Sequence, residues 1–253
     1  MSVIDITREG GVAIVEMRRP PNNFFDQPLI ASLADAFEGL DRDGDVRCIV
    51  LCAEGKNFCA GANFAPAVAG GEELDPSPLY KEALRLFATN KPIVAAVQGA
   101  AIGGGLGLAL MADFRVAGLG SRFSANFNRL GIHPGFGLSV TLPRLVGIQH
   151  AARLLYTGRT VVHDEALALG LVDDISSGAD PRSAAMALAT EIALSAPLAV
   201  AATRHTLRGG LLEAVASAVE RESAQQKRQF RSKDFKEGVR AVAERRPPHF
   251  TGL

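Results

Sequence analysis

The sequence predicts an α/β domain that ends in a helical region. Three observations carry the prediction. Short apolar runs bounded by turn residues recur at Arg47 to Ala53, Ile93 to Val97 and Asp113 to Ala117, each the length of a strand buried on both faces. Helical stretches separate these runs, an alternation that gathers ligand loops at strand ends. From about Leu138 onward the strand pattern fades and helical periodicity takes over.

In chain order, Ile4 and Ile6, the turn Glu9-Gly10-Gly11, and the run Val12 to Met17 read as an antiparallel hairpin. Pro20-Pro21 breaks the pattern. Leu29, Ile30, Leu33, Phe37 and Leu40 then share one helical face, and Asp41 to Asp45 is a polar loop leading into the first buried strand. Lys81 to Asn90 reads as a helix through Ala83, Leu84 and Phe87, stopped at Lys91-Pro92. Beyond Leu138, helices are predicted over Leu142 to Val146, Ala151 to Tyr156, Asp164 to Leu169 and Ala184 to Leu194. Residues 1–194 form the expected core domain. Residues 195–253 form a C-terminal helical oligomerisation or lid region, with amphipathic helices over Leu198 to Leu207 and Leu211 to Phe230 that need a surface to cover. Residues 220–246 hold nine basic and five acidic residues, a net of +4. That stretch is either a solvated face or one docked on another subunit or beside an anionic ligand.

The 253 residues contain 27 Lys plus Arg and 27 Asp plus Glu, so no net field draws the chain to nucleic acid or to an anionic membrane. No window approaches the roughly 20 apolar residues of a membrane span. The N-terminus lacks the charged-then-apolar pattern of a secretory signal, so a cytoplasmic location is the expectation. Cys48, Cys52 and Cys59 cannot all pair and form no CxxC, which predicts buried thiols and no metal site.

Two segments stand out because glycine appears where a strand ends and a helix is due to begin: Phe58-Cys59-Ala60-Gly61-Ala62-Asn63-Phe64 and Gly99 to Gly107. Glycine there lets backbone approach a ligand, and the first N–H groups of a helix are unpaired and carry the positive end of its dipole. Two such loops from neighbouring strands can aim two donors at one developing oxyanion. Tight helix–strand packing is the plainer reading of the second segment. Its G-x-x-x-G-G-G-x-G spacing is not a dinucleotide fingerprint, and no Gly-Lys-Ser/Thr makes it a Walker loop.

These motifs resemble the crotonase, or enoyl-CoA hydratase/isomerase, superfamily. The resemblance runs from Arg19-Pro20-Pro21-Asn22-Asn23 through both glycine segments, then Arg129 to Gly135, Leu142 to Gly147, Tyr156 to Arg159, Glu165-Ala166 and Gly170 to Val172, to Asp234 to Gly238. It implies a crotonase-like spiral of ββα units with a C-terminal helical trimerisation region, a homotrimer or dimer of trimers, and an acyl-CoA thioester ligand with no other cofactor. It also implies that the thioester carbonyl is held by the N–H groups of Ala62 and Gly104. By motif position, substrate contacts map to Asn23, Phe24, Phe25, Ala60, Gly61, Asn63, Phe64, Gly103, Gly107 and Phe127.

The chain departs from the family pattern at its acids. Hydratases of the family carry two glutamates at positions that here are Gly107 and Phe127, and an aspartate used by other branches falls on Gly135. Hydration needs a base for water and an acid for the α-carbon. His133, whose imidazole side chain is of a type that can serve as general acid or base, is the candidate substitute, with a capping role as the plainer alternative. Asn126 and Asn128 read as structural hydrogen-bonding residues and Asp113 as a structural aspartate. Glu72, Glu73, Tyr80 and Asp26 lie where a side chain can enter the pocket. Phe24, Phe25, Phe64, Phe127 and Phe136 suit a bulky apolar acyl group or are core. Three readings follow: an enzyme of the hydratase/isomerase family stabilising a thioester enolate, a catalytically inactive CoA-thioester-binding paralogue, or a retro-Claisen hydrolase using His133.

Overall fold

The computed structural model describes residues 3–253. The expectation about the extreme N-terminus touches Met1 and Ser2, which lie outside the described residues. Strands β1 (Ile4–Glu9) and β2 (Val12–Met17) form the predicted hairpin. Helix α1 (Gln27–Arg42) follows, capped by Asp26, whose carboxylate accepts the Leu29 N–H at 3.1 Å. Its five apolar-face residues are all buried.

Strand β3 (Cys48–Ala53) pairs in parallel with β2 on one side and with β4 (Ile93–Val97) on the other. The continuous apolar run of β3 has a direct physical reason. Ile49, Leu51 and Ala53 join one core, while Cys48, Val50 and Cys52 join a second, formed with Ala185, Ala189 and Ala193 of a later helix. Between β3 and β4 lie α2 (Ala65–Gly70) and α3 (Ser77–Phe87); α3 starts four residues earlier than its apolar pattern suggested and ends three earlier.

Short strand β5 (Ala100–Ile102) precedes α4 (Gly104–Leu110), then come β6 (Phe114–Ala117), β7 (Arg122–Ser124) and a 3₁₀ turn at Asn126–Leu130. The predicted continuous passage from β4 into a helix is therefore interrupted by a strand. Helix α5 (Leu138–Thr157) bends at Gly147 and is followed by β8 (Thr160–Val162), α6 (His163–Ala168), β9 (Asp174–Ile175) and α7 (Arg182–Leu194). The expectation that strands cease after Leu138 is corrected by β8 and β9. They run three and two residues, too short to leave a period-2 signal, and hold through pairing with β7 and β6. The main sheet has the order β1-β2-β3-β4-β6-β9 and the small one β5-β7-β8.

The region beyond residue 194 contains α8 (Pro197–Leu207), α9 (Leu211–Gln229) and α10 (Lys233–Ala243). Two of these are part of the main core: Val215, Val219, Phe230, Phe235 and Val239 are buried in it. Helix α8 differs. It buries none of its residues, and Leu198 and Leu207 are 86% and 73% exposed. No single helix among the described residues is long and apolar enough to cross a membrane; α7 and α8 reach that length and apolarity only together, as a pair bent by 110°.

Candidate functional site

The two glycine segments meet through an isolated parallel bridge between Cys59 and Ala101, outside either sheet. The Cys59 N–H donates to the Ala100 carbonyl at 2.9 Å, and the Ile102 N–H donates to the Cys59 carbonyl at 3.0 Å. Beyond the bridge the segments stay close, with a Cβ on Gly61 falling 3.9 Å from the Gly104 nitrogen. Side chains would prevent the approach. At Gly61, φ is +80°, and an added Cβ would lie 2.7 Å from the Ile102 carbonyl oxygen; at Gly105 it would lie 2.2 Å from the Cys59 carbonyl oxygen. Gly104 opens α4, so its N–H has no partner within the helix. Among the described residues, no hydrogen bond engages the N–H of Ala62 or of Gly104.

Ala62 and Gly104 line a cavity of about 560 Å³. Of the expected contacts, Phe24, Phe25, Ala60, Gly61, Ala62, Asn63, Phe64, Gly103, Gly104 and Phe127 line it. The walls are largely aromatic: Phe25 meets Phe136 edge-on at 5.8 Å, and Phe64 packs against Phe230 and Phe235 at 5.7 and 5.5 Å. Helix α9 contributes Gln226, and α10 contributes Val239, Val242 and Ala243. Phe25 stands directly over Gly104, since a Cβ there would come 1.9 Å from its Cζ.

Three expected residues lie off the lining. Asn23 is fully buried, donating to the Glu54 and Asn57 carbonyls at 2.8 and 2.7 Å and accepting from Arg19 N–H, so it fixes the turn that presents Phe24 and Phe25. Gly107 is covered by Phe136; an added Cβ would meet the Phe136 Cβ at 2.9 Å. That packing explains why a glycine, and not a carboxylate, stands there. His133 holds the Pro134 carbonyl at 2.8 Å through Nδ1, while its own carbonyl accepts from Gln226.

The titratable side chains in the lining are Asp26, Asp75 and Tyr80. Asp26 is tied to Arg19 at 2.7 Å and to its helix N-terminus. Asp75 accepts the Ser77 N–H at 2.9 Å and pairs with Lys227 at 3.0 Å, and the Ser77 amide holds its carboxyl below the usual range. Burial, reinforced by the Glu222 charge, pushes the Tyr80 phenol far up, so it stays protonated. The sequence reading named Tyr80 only as one of several wall residues and missed its partner Gln226. The available signal was the polar set Glu222, Ser223 and Gln226 on the same helix face as Val215 and Val219.

The other expected residues have structural work. Glu72 and Glu73 stay outside this lining, and Glu73 pairs with Arg231. Asn126 lines the cavity, whereas Asn128 donates to the Tyr156 carbonyl at 2.6 Å. Asp113 accepts from the Ile93 N–H at 2.9 Å, Arg204 at 2.8 Å and Arg208 at 3.0 Å. This cluster borders a second cavity of about 570 Å³ lined also by Arg115, Arg144 and apolar residues of α7 and α8. Cys48, Cys52 and Cys59 are free and buried, their thiols raised by burial to about 12, 11 and 12, which leaves them unreactive. No cluster of metal-ligating side chains occurs among the described residues.

Residues 7–253 match the family model for enoyl-CoA hydratase/isomerase. A probable enoyl-CoA hydratase of Bacillus subtilis is 32% identical over 257 residues, covering 100% of both chains. A putative enoyl-CoA hydratase of Thermus thermophilus is 36% identical, with 96% of this chain and 98% of that one covered. Among solved structures, an enoyl-CoA hydratase/isomerase from Pseudoalteromonas atlantica superposes with a TM-score of 0.89 at 31% identity, covering 99% of this chain and 100% of the other. A carnitinyl-CoA hydratase from Mycobacterium avium gives 0.88 at 30%, covering 99% of each.

Proposed function

The chain belongs to the enoyl-CoA hydratase/isomerase family, and from that premise we propose that it binds an acyl-CoA thioester with the carbonyl oxygen between the N–H groups of Ala62 and Gly104. The observation that carries this reading is the Cys59–Ala101 bridge, which brings two unpaired amides to the edge of an aromatic cavity. Fixed donors in a water-poor site stabilise the negative charge that a thioester carbonyl gains on enolisation, without reorganising during the reaction. The Phe24 turn and the Ala60 to Phe64 loop hold the thioester arm, and the basic C-terminal helices supplement them near the nucleotide phosphates. The unburied face of α8 supports a trimer-based assembly.

The reaction catalysed does not use the glutamate pair. Phe136 fills the space beside Gly107, Phe127 is apolar, and the lining carboxylates are engaged elsewhere. Hydration of crotonyl-CoA is accordingly expected to be slow, since each missing acid or base is worth about 10²–10⁴-fold. The same lack of free carboxylates favours a second reading, a CoA-thioester-binding protein without chemistry. The placement of His133 off the lining speaks against a retro-Claisen hydrolase.

A panel of enoyl-CoA and 3-hydroxyacyl-CoA thioesters incubated with the protein in D₂O, followed by mass spectrometry, decides among these. Deuterium uptake at the α-carbon or a new product supports the enzyme. Binding without exchange selects the binding protein, and absence of binding across the panel overturns the acyl-CoA reading.

A further inference from the structure

The segment between the 3₁₀ turn and α5 carries a strained residue. Phe136 has a φ of +60°, in the left-handed region that bulky side chains avoid, and Gly137 follows at +72°. Such a conformation persists only where the surroundings over-determine it.

Side chains from α3 and α9 supply that constraint. The Tyr80 phenol oxygen takes the Phe136 N–H, while its own proton goes to Gln226 Oε1 at 2.8 Å. The buried Glu222 carboxylate accepts the Gly137 N–H at 2.9 Å, the Ser139 N–H at 3.2 Å and the Ser139 hydroxyl at 2.6 Å. Gln226 and Gln229 hold the near end, the first donating to the His133 carbonyl at 2.8 Å and the second accepting the His133 N–H at 2.6 Å. A contact of 3.0 Å between Ser77 and Ser223 ties the two helices together.

The residue held in this way backs another. Phe136 is itself only 1% exposed, packed on Gly107 and meeting the Phe25 ring edge-on at 5.8 Å. Phe25 in turn covers Gly104. With Phe136 fixed behind it in a close-packed interior, the Phe25 ring has no space into which to withdraw, and the cavity stays narrow beside Gly104.

We propose that Glu222 and Tyr80 are positioning residues: by holding Phe136 in its left-handed conformation they keep Phe25 against Gly104, and so exclude acyl groups branched at the α-carbon. The proposal rests on the acyl-CoA reading above.

Isothermal titration with butyryl-CoA and 2-ethylbutyryl-CoA, which differ by an ethyl branch on the α-carbon, tests it. The wild type is expected to bind the branched thioester at least about tenfold more weakly, the discrimination that an apolar site achieves on a methylene. In Phe136→Ala that ratio falls to about one, because Phe25 can retreat into the vacated space. Glu222→Gln puts an amide NH₂ where an acceptor oxygen met a backbone N–H, and lowers the ratio at least about threefold. In the Phe136→Ala background the same substitution changes the ratio by less than about twofold. A merely structural role would weaken both thioesters alike in either background. Should Glu222→Gln fail to fold, Tyr80→Phe reads the same cycle. Equal wild-type affinities, a ratio that survives Phe136→Ala, or equal effects of Glu222→Gln in the two backgrounds overturns the proposal and leaves the acyl-CoA reading standing. Failure of the wild type to bind either thioester removes both.

Discussion

The cavity beside α4 and the cavity beside α8 have nearly the same volume, about 560 and 570 Å³, yet they present polar groups of different kinds. The first exposes backbone amides with no partner, held by a two-segment bridge and surrounded by phenylalanines. The second is bordered mainly by charged side chains joined to one another, with Asp113 between Arg204 and Arg208 and Arg115 joined to Asp173 at 2.7 Å, although Arg204 Nη2 and Arg115 Nε keep no partner among the described residues. Size therefore does not identify a binding site. A donor fixed in place and left unpaired can stabilise charge that appears during a reaction, whereas a charge already paired holds elements together.

This contrast is sharpest at Asp113. Asp113→Ala leaves two largely buried guanidinium groups without their carboxylate, and losing one partner of such a cluster costs about 3–5 kcal/mol. The expected result is a melting temperature lower by on the order of 10 °C, with thioester affinity of the folded protein unchanged. A variant as stable as wild type, or one that loses affinity at full stability, would erase the distinction between the cavities.

At the first cavity the corresponding test removes a donor. Proline is acceptable to backbone at the first position of a helix and has no N–H, but a Cβ on Gly104 would strike Phe25. The informative comparison is therefore Phe25→Ala/Gly104→Pro against Phe25→Ala. The α-carbon exchange rate is expected to fall by about 10²–10³-fold, or roughly 3–4 kcal/mol, with little change in melting temperature. Equal rates in the two would remove Gly104 from the site.

The smallest effect concerns how each cavity is braced. Helix α10, which lines the first cavity, is latched to the C-terminal tail by half-buried groups: Glu237 pairs with Arg246 at 2.6 Å and accepts the His249 N–H at 2.8 Å. Arg246 chiefly, with the His249 amide, lowers the Glu237 carboxyl from its ordinary 4.5 to about 2. A depressed carboxylate contributes stability that is fully present above pH 4.5 and lost as pH falls through about 2. Amide exchange at His249 is expected to accelerate across that window, and Glu237→Gln should flatten the profile. An unchanged profile in the variant would assign the latch to other contacts, such as Asp234 with Thr251 and Gly252.

The legible and illegible parts of the chain divide by range of interaction. The hairpin, α1 and the three buried strands were readable because alternation and helical periodicity are written in consecutive residues. Strands β5, β7, β8 and β9 were not, because two- and three-residue strands exist only through partners far along the chain. At the site, the glycine segments announced themselves by composition, but the roles of single residues did not follow. Asn23 turned out to be a buried brace, Gly107 a seat for Phe136, and His133 a neighbour of the lining and not a part of it.

By itself, the sequence determined the α/β class, the family, the two amide-bearing segments and the lack of glutamates at Gly107 and Phe127, since each is a matter of residue type at a fixed spacing. Only the tertiary structure decided that the two glycine segments meet and that Ala62 and Gly104 line one cavity, that α9 and α10 line it too while α8 buries none of its residues, and that Tyr80 meets Gln226 across 146 residues. The reason is that hydrogen bonds and steric exclusion act over a few ångströms in space, and no local pattern records which distant residue will arrive within that reach.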